Sequence, residues 1–352
     1  MRILVTGAGG LLGRELTGHL SERGHGIVAL QHRNTVLRRN DGRPISAVPW
    51  AGSLPEAGEV VTLAGDVEQP NLAAPSGLLG KLDLVVHCAA VTGFALPAQV
   101  YDSVNIRGTA NVLASTGETP VLHVSTAYVC GRRNGPICEG EGDGGHGFHN
   151  GYERTKAAAE ALATSAHAAG RIVAVARPSI VVGHSETGAI GVFGSIYGLI
   201  RLVAEGRIGT LPAAPGATLN LVPIDHVIGG LTDIAENMQA AAGQTFHLVS
   251  GCPVPVSALA GLAYDYPTLY APRMVSPEQF DPSALPPNER NLVAQVSALL
   301  EGYLQNDPRF DDRTLQALSG RQCPATGQPF LRRLLDHCLA TGYITARRQA
   351  AA

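Results

Sequence analysis

The sequence predicts an α/β fold in which a doubly wound parallel sheet is followed by a smaller, mostly helical C-terminal region. Apolar strand-like segments alternate with helical segments over residues 1–177, and a proline-broken helical pattern begins at Pro253. A glycine-rich segment also lies directly between the first strand and the first helix. Right-handed crossovers bring the carboxyl ends of such strands to one edge of the sheet, where these folds bind ligands.

The period of the apolar residues places the individual elements. The predicted strands of the sheet are Arg2–Val5, Ile27–Leu30, Glu59–Ala64, Leu82–Cys88, Val121–Ser125 and Ile172–Ala176, with Leu219–Ile224 and Phe246–Val249 expected to rejoin it. The predicted helices are Leu11–Leu20, 98–115, 151–169, Ser195–Glu205, Asn291–Gln305 and Phe330–Thr341. We therefore assign 1–177 and about 219–250 to a sheet domain, and about 178–218 and 251–352 to a cap over the strand ends.

The composition excludes several classes of protein. With 45% hydrophobic and 16% charged residues, the chain has enough apolar material for a packed core. The 26 basic residues against 29 acidic residues give no attraction to nucleic acid or to an anionic membrane. The sequence predicts no membrane span and no signal peptide. Its six cysteines show no C-x-x-C spacing and are sparse for a disulfide scaffold of this size. We expect a cytoplasmic protein, and leave a homodimer open.

Three glycines after the first strand predict a site for the pyrophosphate of a dinucleotide. Gly7 permits a tight turn, Gly10 lets the anion approach the backbone, and Gly13 lets the first helix pack closely on the sheet. The N–H groups at Leu11 and Leu12 begin that helix and face the anion. Because Leu12 takes the place of the last glycine of the G-x-G-x-x-G fingerprint, a glycine-rich turn without a ligand is the alternative; the position between strand and helix favours the dinucleotide.

The end of the second strand favours NADP(H) over NAD(H). An NAD site usually carries an Asp or Glu here that bonds the ribose hydroxyls, and the segment 27–33 contains no carboxylate. Arg33, assisted by His32 and Arg14, can instead pair with a 2′-phosphate. A solvated basic loop is the alternative for Arg33, and it is favoured for Arg38 and Arg39.

Two further strand ends are predicted to contact the cofactor. Asp66, followed by Val67, closes the third predicted strand and can accept a hydrogen bond from the adenine amine. Ala89 and Ala90 follow the fourth, where small side chains let the backbone lie against the cofactor. Each signal is weak alone, and the order of the residues after successive strands is what supports them.

The predicted reacting groups are a phenol, an ammonium and a hydroxyl. Tyr152 and Lys156 share one face of a helix, and a nearby ammonium is expected to lower the phenol pKa from about 10 and to hold the nicotinamide ribose. An exposed helical pair is the alternative. Ser125 and Thr126 end the fifth strand, where alternation predicts that only one hydroxyl faces the cofactor and the substrate carbonyl. Asn105 is expected to tie the Tyr152 helix to its neighbour.

These segments together resemble the extended short-chain dehydrogenase/reductases over about residues 1–250. The segments most similar to the fatty acyl-CoA reductase and thioester reductase branch are Gly65–Leu72, His123–Val129, Phe148–Tyr152 and Arg177–Gly183. The resemblance implies a Rossmann-type sheet and a catalytic set of Thr126, Tyr152 and Lys156 supported by Asn105. Thr126 is selected over Ser125 because the family's hydroxyl lies five residues before a glycine, here Gly131. It also implies cofactor contacts from three further residues, Pro178, Ser179 and Ile180.

The resemblance implies reduction of an acyl thioester, bound to coenzyme A or to a carrier protein, by NADPH to an aldehyde, with onward reduction to an alcohol as an option. The alternatives are a dehydrogenase or epimerase acting on a ketone, sterol or nucleotide sugar, and a regulator that senses NAD(P) without turnover. Apolar side chains around Gly183–Leu202 and the C-terminal helices would favour the acyl substrate, and a cluster of Arg, Asn and Tyr aimed at a diphosphate would favour the sugar. His146 and His149 lack a third ligand, so no metal site is expected.

Overall fold

The computed structural model describes residues 1–32, 37–93 and 96–346. Its strands, in chain order, are β1 (Arg2–Thr6), β2 (Gly26–Gln31), β3 (Val48–Pro49), β4 (Val60–Ala64), β5 (Leu84–His87), β6 (Val121–Val124), β7 (Gly135–Ile137), β8 (Val173–Pro178), β9 (Ile180–Val182), β10 (Thr210–Pro212), β11 (Thr218–Leu219), β12 (Leu221–Pro223), β13 (Thr245–Leu248), β14 (Val254–Pro255), β15 (Arg273–Val275) and β16 (Pro308–Phe310). Its α-helices are α1 (Leu11–Glu22), α2 (Ala98–Tyr101), α3 (Gly108–Ser115), α4 (Gly151–Ala168), α5 (Ser195–Ala204), α6 (Ile224–Glu236), α7 (Met238–Ala241), α8 (Val256–Leu262), α9 (Pro287–Tyr303), α10 (Arg313–Ser319) and α11 (Gln328–Ala340).

The main sheet confirms the predicted fold class. It has eight parallel strands in the order β13-β8-β6-β5-β1-β2-β4-β3. The order runs outward in both directions from β1, so that Thr6 lies beside Leu30 on one side and beside His87 on the other. The loops after β1 and β5 diverge at this switch point, which leaves a crevice at the carboxyl edge of the sheet.

Both faces of the sheet are buried, as a parallel sheet covered by helices requires. Ile3 and Val5 pack on one face with side chains of α1 and α6, while Leu4 between them packs on the other face with α3 and α4. This alternation explains why β1 reads as a continuous apolar run. The strand ends are thereby held rigidly at one edge.

One predicted strand was wrong in its placement. Residues 219–224 do not rejoin the main sheet: β12 pairs with β9, and β11 pairs with β14, in separate two-stranded sheets. The main sheet has no room there, because β8 already has β6 on one edge and β13 on the other. The segment Thr245–Leu248 does join the sheet, as predicted. The division of the chain into two domains stays a prediction.

The C-terminal region is mostly helical and has a core of its own. Side chains of α5, α9 and α11, including Leu199, Leu300 and Leu334, pack together there with Phe330. Among the helices described, none combines the length and the apolarity that a bilayer span requires.

Candidate active site

Two adjoining cavities run along the carboxyl edge of the sheet. The first, of about 410 Å³, lies at the ends of β2, β4 and β5, and the second, of about 560 Å³, lies at the ends of β6 and β8. Gly7, Gly10 and Ala90 line both, so the two cavities form one cleft across the switch point. We call them the inner cleft (410 Å³) and the outer cleft (560 Å³). Such a cleft has the position in which doubly wound sheets hold a dinucleotide.

The glycine turn between the two clefts fits a pyrophosphate. Gly7 has a φ of 66°, and a Cβ there would lie 2.8 Å from the Cα of Ala89. A Cβ on Gly13 would lie 2.2 Å from the carbonyl oxygen of Gly7, so only glycine lets α1 begin this close to the turn. Gly10 begins α1 without a side-chain cap, and the first turn holds no acidic residue. Leu11 and Leu12 follow it on the outer cleft. The first-turn N–H groups and the helix dipole therefore suit an anion.

The inner cleft contains the residues predicted at the adenosine end. His32, Asp66, Val67 and Ala89 all line it, and His32 Nε2 lies 3.9 Å from Asp66 Oδ2. The predicted phosphate contact Arg33 lies outside the described residues. Sequence reasoning missed Gln31, which is buried in the same wall and whose amide nitrogen has no hydrogen-bond partner among the described residues.

Tyr152 and Thr126 meet in the outer cleft. The Thr126 hydroxyl hydrogen-bonds Tyr152, donates to the carbonyl oxygen of Pro178 at 3.3 Å and accepts from the Tyr128 N–H at 3.3 Å. Burial raises the pKa of Tyr152 to about 12, and the bond with Thr126 opposes this rise. The phenol is therefore protonated at neutral pH, in the state that a proton donor needs.

We expected Lys156 to lower the pKa of Tyr152, and for the chain alone this expectation is wrong. The Lys156 ammonium is buried and donates to the carbonyl oxygen of Val124 at 2.7 Å. Burial also lowers the pKa of Lys156 itself to about 8. Lys156 does not line either cleft, although it lies one helical turn from Tyr152. Burial dominates the pKa of the phenol, and the ammonium stays hydrogen-bonded to the backbone.

That only one of the Ser125 and Thr126 hydroxyls faces the cofactor stays a prediction. Both line the outer cleft. Strand alternation no longer applies because β6 ends at Val124 and a 3₁₀ turn begins at Ala127. The Ser125 hydroxyl is buried and has no hydrogen-bond partner among the residues described.

Asn105 connects the Tyr152 helix to the loop after β5. Its Oδ1 accepts from the Val91 N–H at 2.9 Å, and its Nδ2 donates to Thr155 Oγ1 on α4 at 3.0 Å. Asn105 lies in a π-helical turn, residues 102–107, and such turns are frequent at functional sites. It lines neither cleft, so it would act by positioning α4. Its contribution to catalysis stays a prediction.

The segment after β8 closes one side of the outer cleft. Pro178, Ser179 and Ile180 all line it. Ser179 Oγ donates to Asn220 Oδ1 at 2.6 Å, and Asn220 Nδ2 donates to the carbonyl oxygen of Ser250 at 2.8 Å. Asn220, which no sequence motif singled out, therefore fixes the wall of the site from a distant part of the chain.

The C-terminal helix α9 supplies a wall of the outer cleft, through residues that the sequence did not single out. Leu299 and Tyr303 line the outer cleft, and the ring centroid of Tyr303 lies 4.6 Å from that of Tyr128. The Tyr303 hydroxyl donates to Glu153 Oε1 at 3.4 Å, directly beside Tyr152 in sequence. No local pattern marks Tyr303, because only the packing of α9 brings it to the site.

Glu153 is fully buried, and we expect it to make stability depend on pH. Burial raises the pKa of Glu153 to about 7, against hydrogen bonds from the His149 N–H, Asn150 and Tyr303 and the charge of Arg132. The native state therefore holds a proton that the unfolded state releases above pH ~4.5, so stability falls as pH rises through the folded pKa. Glu153→Gln should remove about 3 kcal/mol of this fall between pH ~4.5 and ~7.

Urea unfolding at several pH values measures this difference, with the exposed Glu186→Gln as the matched control. Equal pH slopes for the native chain and Glu153→Gln would contradict a buried, protonated carboxyl at this position.

The cysteines near the site are not activated. Burial raises the pKa of Cys88 and of Cys130 to about 12, so both thiols are neutral at physiological pH. The described residues contain no group of three His, Cys, Asp or Glu side chains placed to hold a metal ion.

Comparison with known proteins identifies the family. Residues 5–231 match the model of the NAD_binding_4 family, described as male sterility protein. The chain is 30% identical over 208 residues to the nonribosomal peptide synthetase hkm10 of Aspergillus hancockii, with 54% of this chain and 20% of that protein covered. It is 28% identical over 270 residues to the 2-alkyl-3-oxoalkanoate reductase of Stenotrophomonas maltophilia, with 74% and 73% covered.

A solved structure shares the whole architecture. The terminal R domain from the myxalamid PKS-NRPS biosynthetic pathway matches with a TM-score of 0.81 and 24% identity, covering 99% of this chain and 92% of that one. The chain spans only 17–20% of the length of the first curated relatives that it matches. The chain belongs to the male sterility protein (NAD_binding_4) family, a branch of the extended short-chain dehydrogenase/reductases.

Proposed function

We propose that this protein reduces an acyl thioester to an aldehyde with NADPH: RCO–SR′ + NADPH + H⁺ → RCHO + R′SH + NADP⁺. The observation that carries the proposal is the chemistry of the outer cleft beyond Tyr152. Apolar and aromatic side chains line it there, including Val192, Ile196, Leu299 and Tyr303. Arg14 at the glycine turn is the one basic side chain among the described residues of its lining. An apolar acyl group suits this wall, whereas the diphosphate of a nucleotide sugar requires cations.

The residues of the site fit a nicotinamide cofactor, which when bound supplies the hydride for the carbonyl carbon. The glycine turn and the start of α1 hold the pyrophosphate, and the inner cleft takes the adenosine. The protonated Tyr152 donates its proton to the carbonyl oxygen, while Thr126 hydrogen-bonds the phenol. The resulting hemithioacetal breaks its C–S bond, its hydroxyl proton leaves as the carbonyl re-forms, and the thiolate takes a proton to depart as thiol. Lys156, one helical turn from Tyr152, would supply positive charge near the phenol and would hold the cofactor ribose.

The relatives support a thioester or a carbonyl as the reacting group. A nonribosomal peptide synthetase and the terminal R domain of a PKS-NRPS pathway are among the relatives, so a carrier-linked substrate belongs to the proposal. The match to a 2-alkyl-3-oxoalkanoate reductase favours a second candidate, in which the same Tyr152 protonates the oxygen of a 3-oxo group. Both candidate reactions use a hydride from NADPH and a proton from Tyr152. Onward reduction of the aldehyde to an alcohol would need a second NADPH.

The cofactor preference has a test of its own. Arg33→Ala should raise the Kd for NADPH about 10- to 100-fold, because a charge-assisted bond to the 2′-phosphate is lost. The Kd for NADH should change less than about twofold. Fluorescence titration with both cofactors measures the two constants. An equal loss for both cofactors would refute the 2′-phosphate contact.

The function is tested by following NADPH oxidation with acyl-CoA and acyl-pantetheine thioesters, 3-oxoacyl compounds, aldehydes and nucleotide sugars as substrates. We expect turnover with thioesters and release of one thiol per NADPH in the first step, measured with a thiol reagent. Oxidation of NADPH by 3-oxoacyl compounds without thiol release would favour the second candidate. Turnover of nucleotide sugars alone would overturn both.

A further inference from the structure

A second, separate cavity lies inside the C-terminal region. It has a volume of about 80 Å³ and is lined by α5, α8 and α11, with Leu199, Ala204, Leu331 and Cys338 among its walls. We call it the apolar pocket. None of the described side chains in its lining is charged. The Tyr197 hydroxyl in its wall already accepts a hydrogen bond from the Gly183 N–H at 2.9 Å. The pocket thus offers almost only hydrocarbon surface.

A void of this kind does not suit water. Protein interiors are packed to the density of organic crystals, and an unfilled cavity destabilises a protein in proportion to its volume. A cavity lined only by apolar groups stays dry, since a water molecule inside would lose its hydrogen bonds. An apolar ligand group, in contrast, gains both dispersion contacts and the free energy of leaving water. The pocket therefore favours a hydrocarbon occupant.

The apolar pocket and the outer cleft share a wall. Val181 of β9 lines the outer cleft and the next residue, Val182, lines the apolar pocket, as alternation along a strand requires. At the end of α9, Tyr303 lines the cleft and Leu304 lines the pocket. Ile196, in the first turn of α5, lines both. Only the thickness of these side chains separates the pocket from the cleft that contains Tyr152.

We propose that the apolar pocket binds the terminal carbons of the substrate's acyl chain, which passes Ile196 from the outer cleft. This inference rests on the proposed function and specifies its substrate as an acyl group with an apolar hydrocarbon chain. A cavity of about 150 Å³ holds the six carbons of benzene, so a volume of about 80 Å³ holds about three carbons. The volume of the pocket therefore limits the length of the acyl chain that the site accepts.

The decisive variant is Ala204→Leu, because Ala204 is buried in the pocket wall and leucine adds three carbons. In the native protein, kcat/KM for a C2 to C12 series of acyl-pantetheines should rise about fourfold per methylene until the pocket is full. Ala204→Leu should shift the optimum about three carbons shorter, with acetyl-pantetheine unaffected. Cys338→Leu fills the same pocket from α11 and should also shorten the optimum. Ala317→Leu, exposed on α10, makes the same exchange as Ala204→Leu outside the pocket and should leave the optimum in place.

A binding measurement separates the failure of this inference from that of the proposed function. Octanoyl-pantetheine should raise the melting temperature of the native protein and of the control variant Ala317→Leu. It should raise the melting temperature of Ala204→Leu much less. A length-dependent melting shift without NADPH oxidation would refute thioester reduction and keep the pocket assignment. Turnover with an optimum that neither pocket variant moves would show that the pocket is only a packing void, and would overturn the inference.

Discussion

Tyr152→Phe is expected to reduce NADPH oxidation with any accepted thioester or carbonyl substrate by about 10²- to 10⁴-fold, because the proton donor is lost. The phenol lines the outer cleft and is protonated at neutral pH, since burial raises the pKa of Tyr152 to about 12. Removal of one oxygen leaves the glycine turn and the inner cleft unchanged. The Kd for NADPH should therefore stay within about threefold of its native value. Steady-state kinetics and fluorescence titration measure the two quantities.

Tyr266→Phe is the matched control for this variant. Tyr266 donates its hydroxyl to Asp336 at 2.7 Å, away from both clefts, so the same chemical change should leave turnover near the native rate. Native turnover by Tyr152→Phe would remove Tyr152 from the mechanism. A large rise in the Kd for NADPH would show instead that the phenol serves mainly to bind the cofactor.

The second large effect is expected for Gly13→Ala. The new Cβ would lie 2.2 Å from the carbonyl oxygen of Gly7 and 2.8 Å from its carbonyl carbon, so either α1 or the turn must move. Backbone shifts of this kind cost about 1–3 kcal/mol of stability. The N–H groups of the first turn would also no longer point at the pyrophosphate. The Kd for NADPH should therefore rise more than about tenfold.

Denaturant unfolding and fluorescence titration with NADPH measure both effects. Gly80→Ala is the control, since a Cβ there meets no atom within 4 Å and Gly80 has no positive φ. If Gly13→Ala bound NADPH as tightly as Gly80→Ala, the close contact between α1 and the glycine turn would have no role in holding the cofactor.

The sequence predicted the sheet well because its signals are local. The apolar runs of β1, β2, β4, β5, β6 and β8 are each bounded by a turn or a helix, and the structure has a strand at each of them. Gly7 and Gly13 are required by contacts within one strand–turn–helix unit, so their spacing in the sequence was enough to predict the glycine turn. The predicted sheet position of residues 219–224 was wrong because a strand-like segment does not reveal which strands it pairs with. Both edges of β8 are already paired, with β6 and with β13.

The features of the site likewise separate into those with local sequence signals and those that depend on tertiary packing. Tyr152 and Thr126 lie at a helix start and at a strand end, where sequence order places them at the carboxyl edge of the sheet. The sequence placed Ser125 inside the strand, whereas β6 stops one residue before it. The electrostatic expectation for Tyr152 was wrong since burial depends on what covers the phenol, and α9 supplies part of that cover through Tyr303.

The sequence by itself thus determined the parallel sheet, the glycine turn and the order of the residues along the strand ends, since each depends on neighbours a few positions away. Only the tertiary structure decided which distant groups complete the site. Asn220 fixes Ser179 from 41 residues away, and Tyr303 reaches Glu153 across 150 residues. The apolar pocket likewise exists only where α5, α8 and α11 meet. Such contacts depend on how helices pack in three dimensions, and apolar periodicity records that a face is buried without recording against which partner.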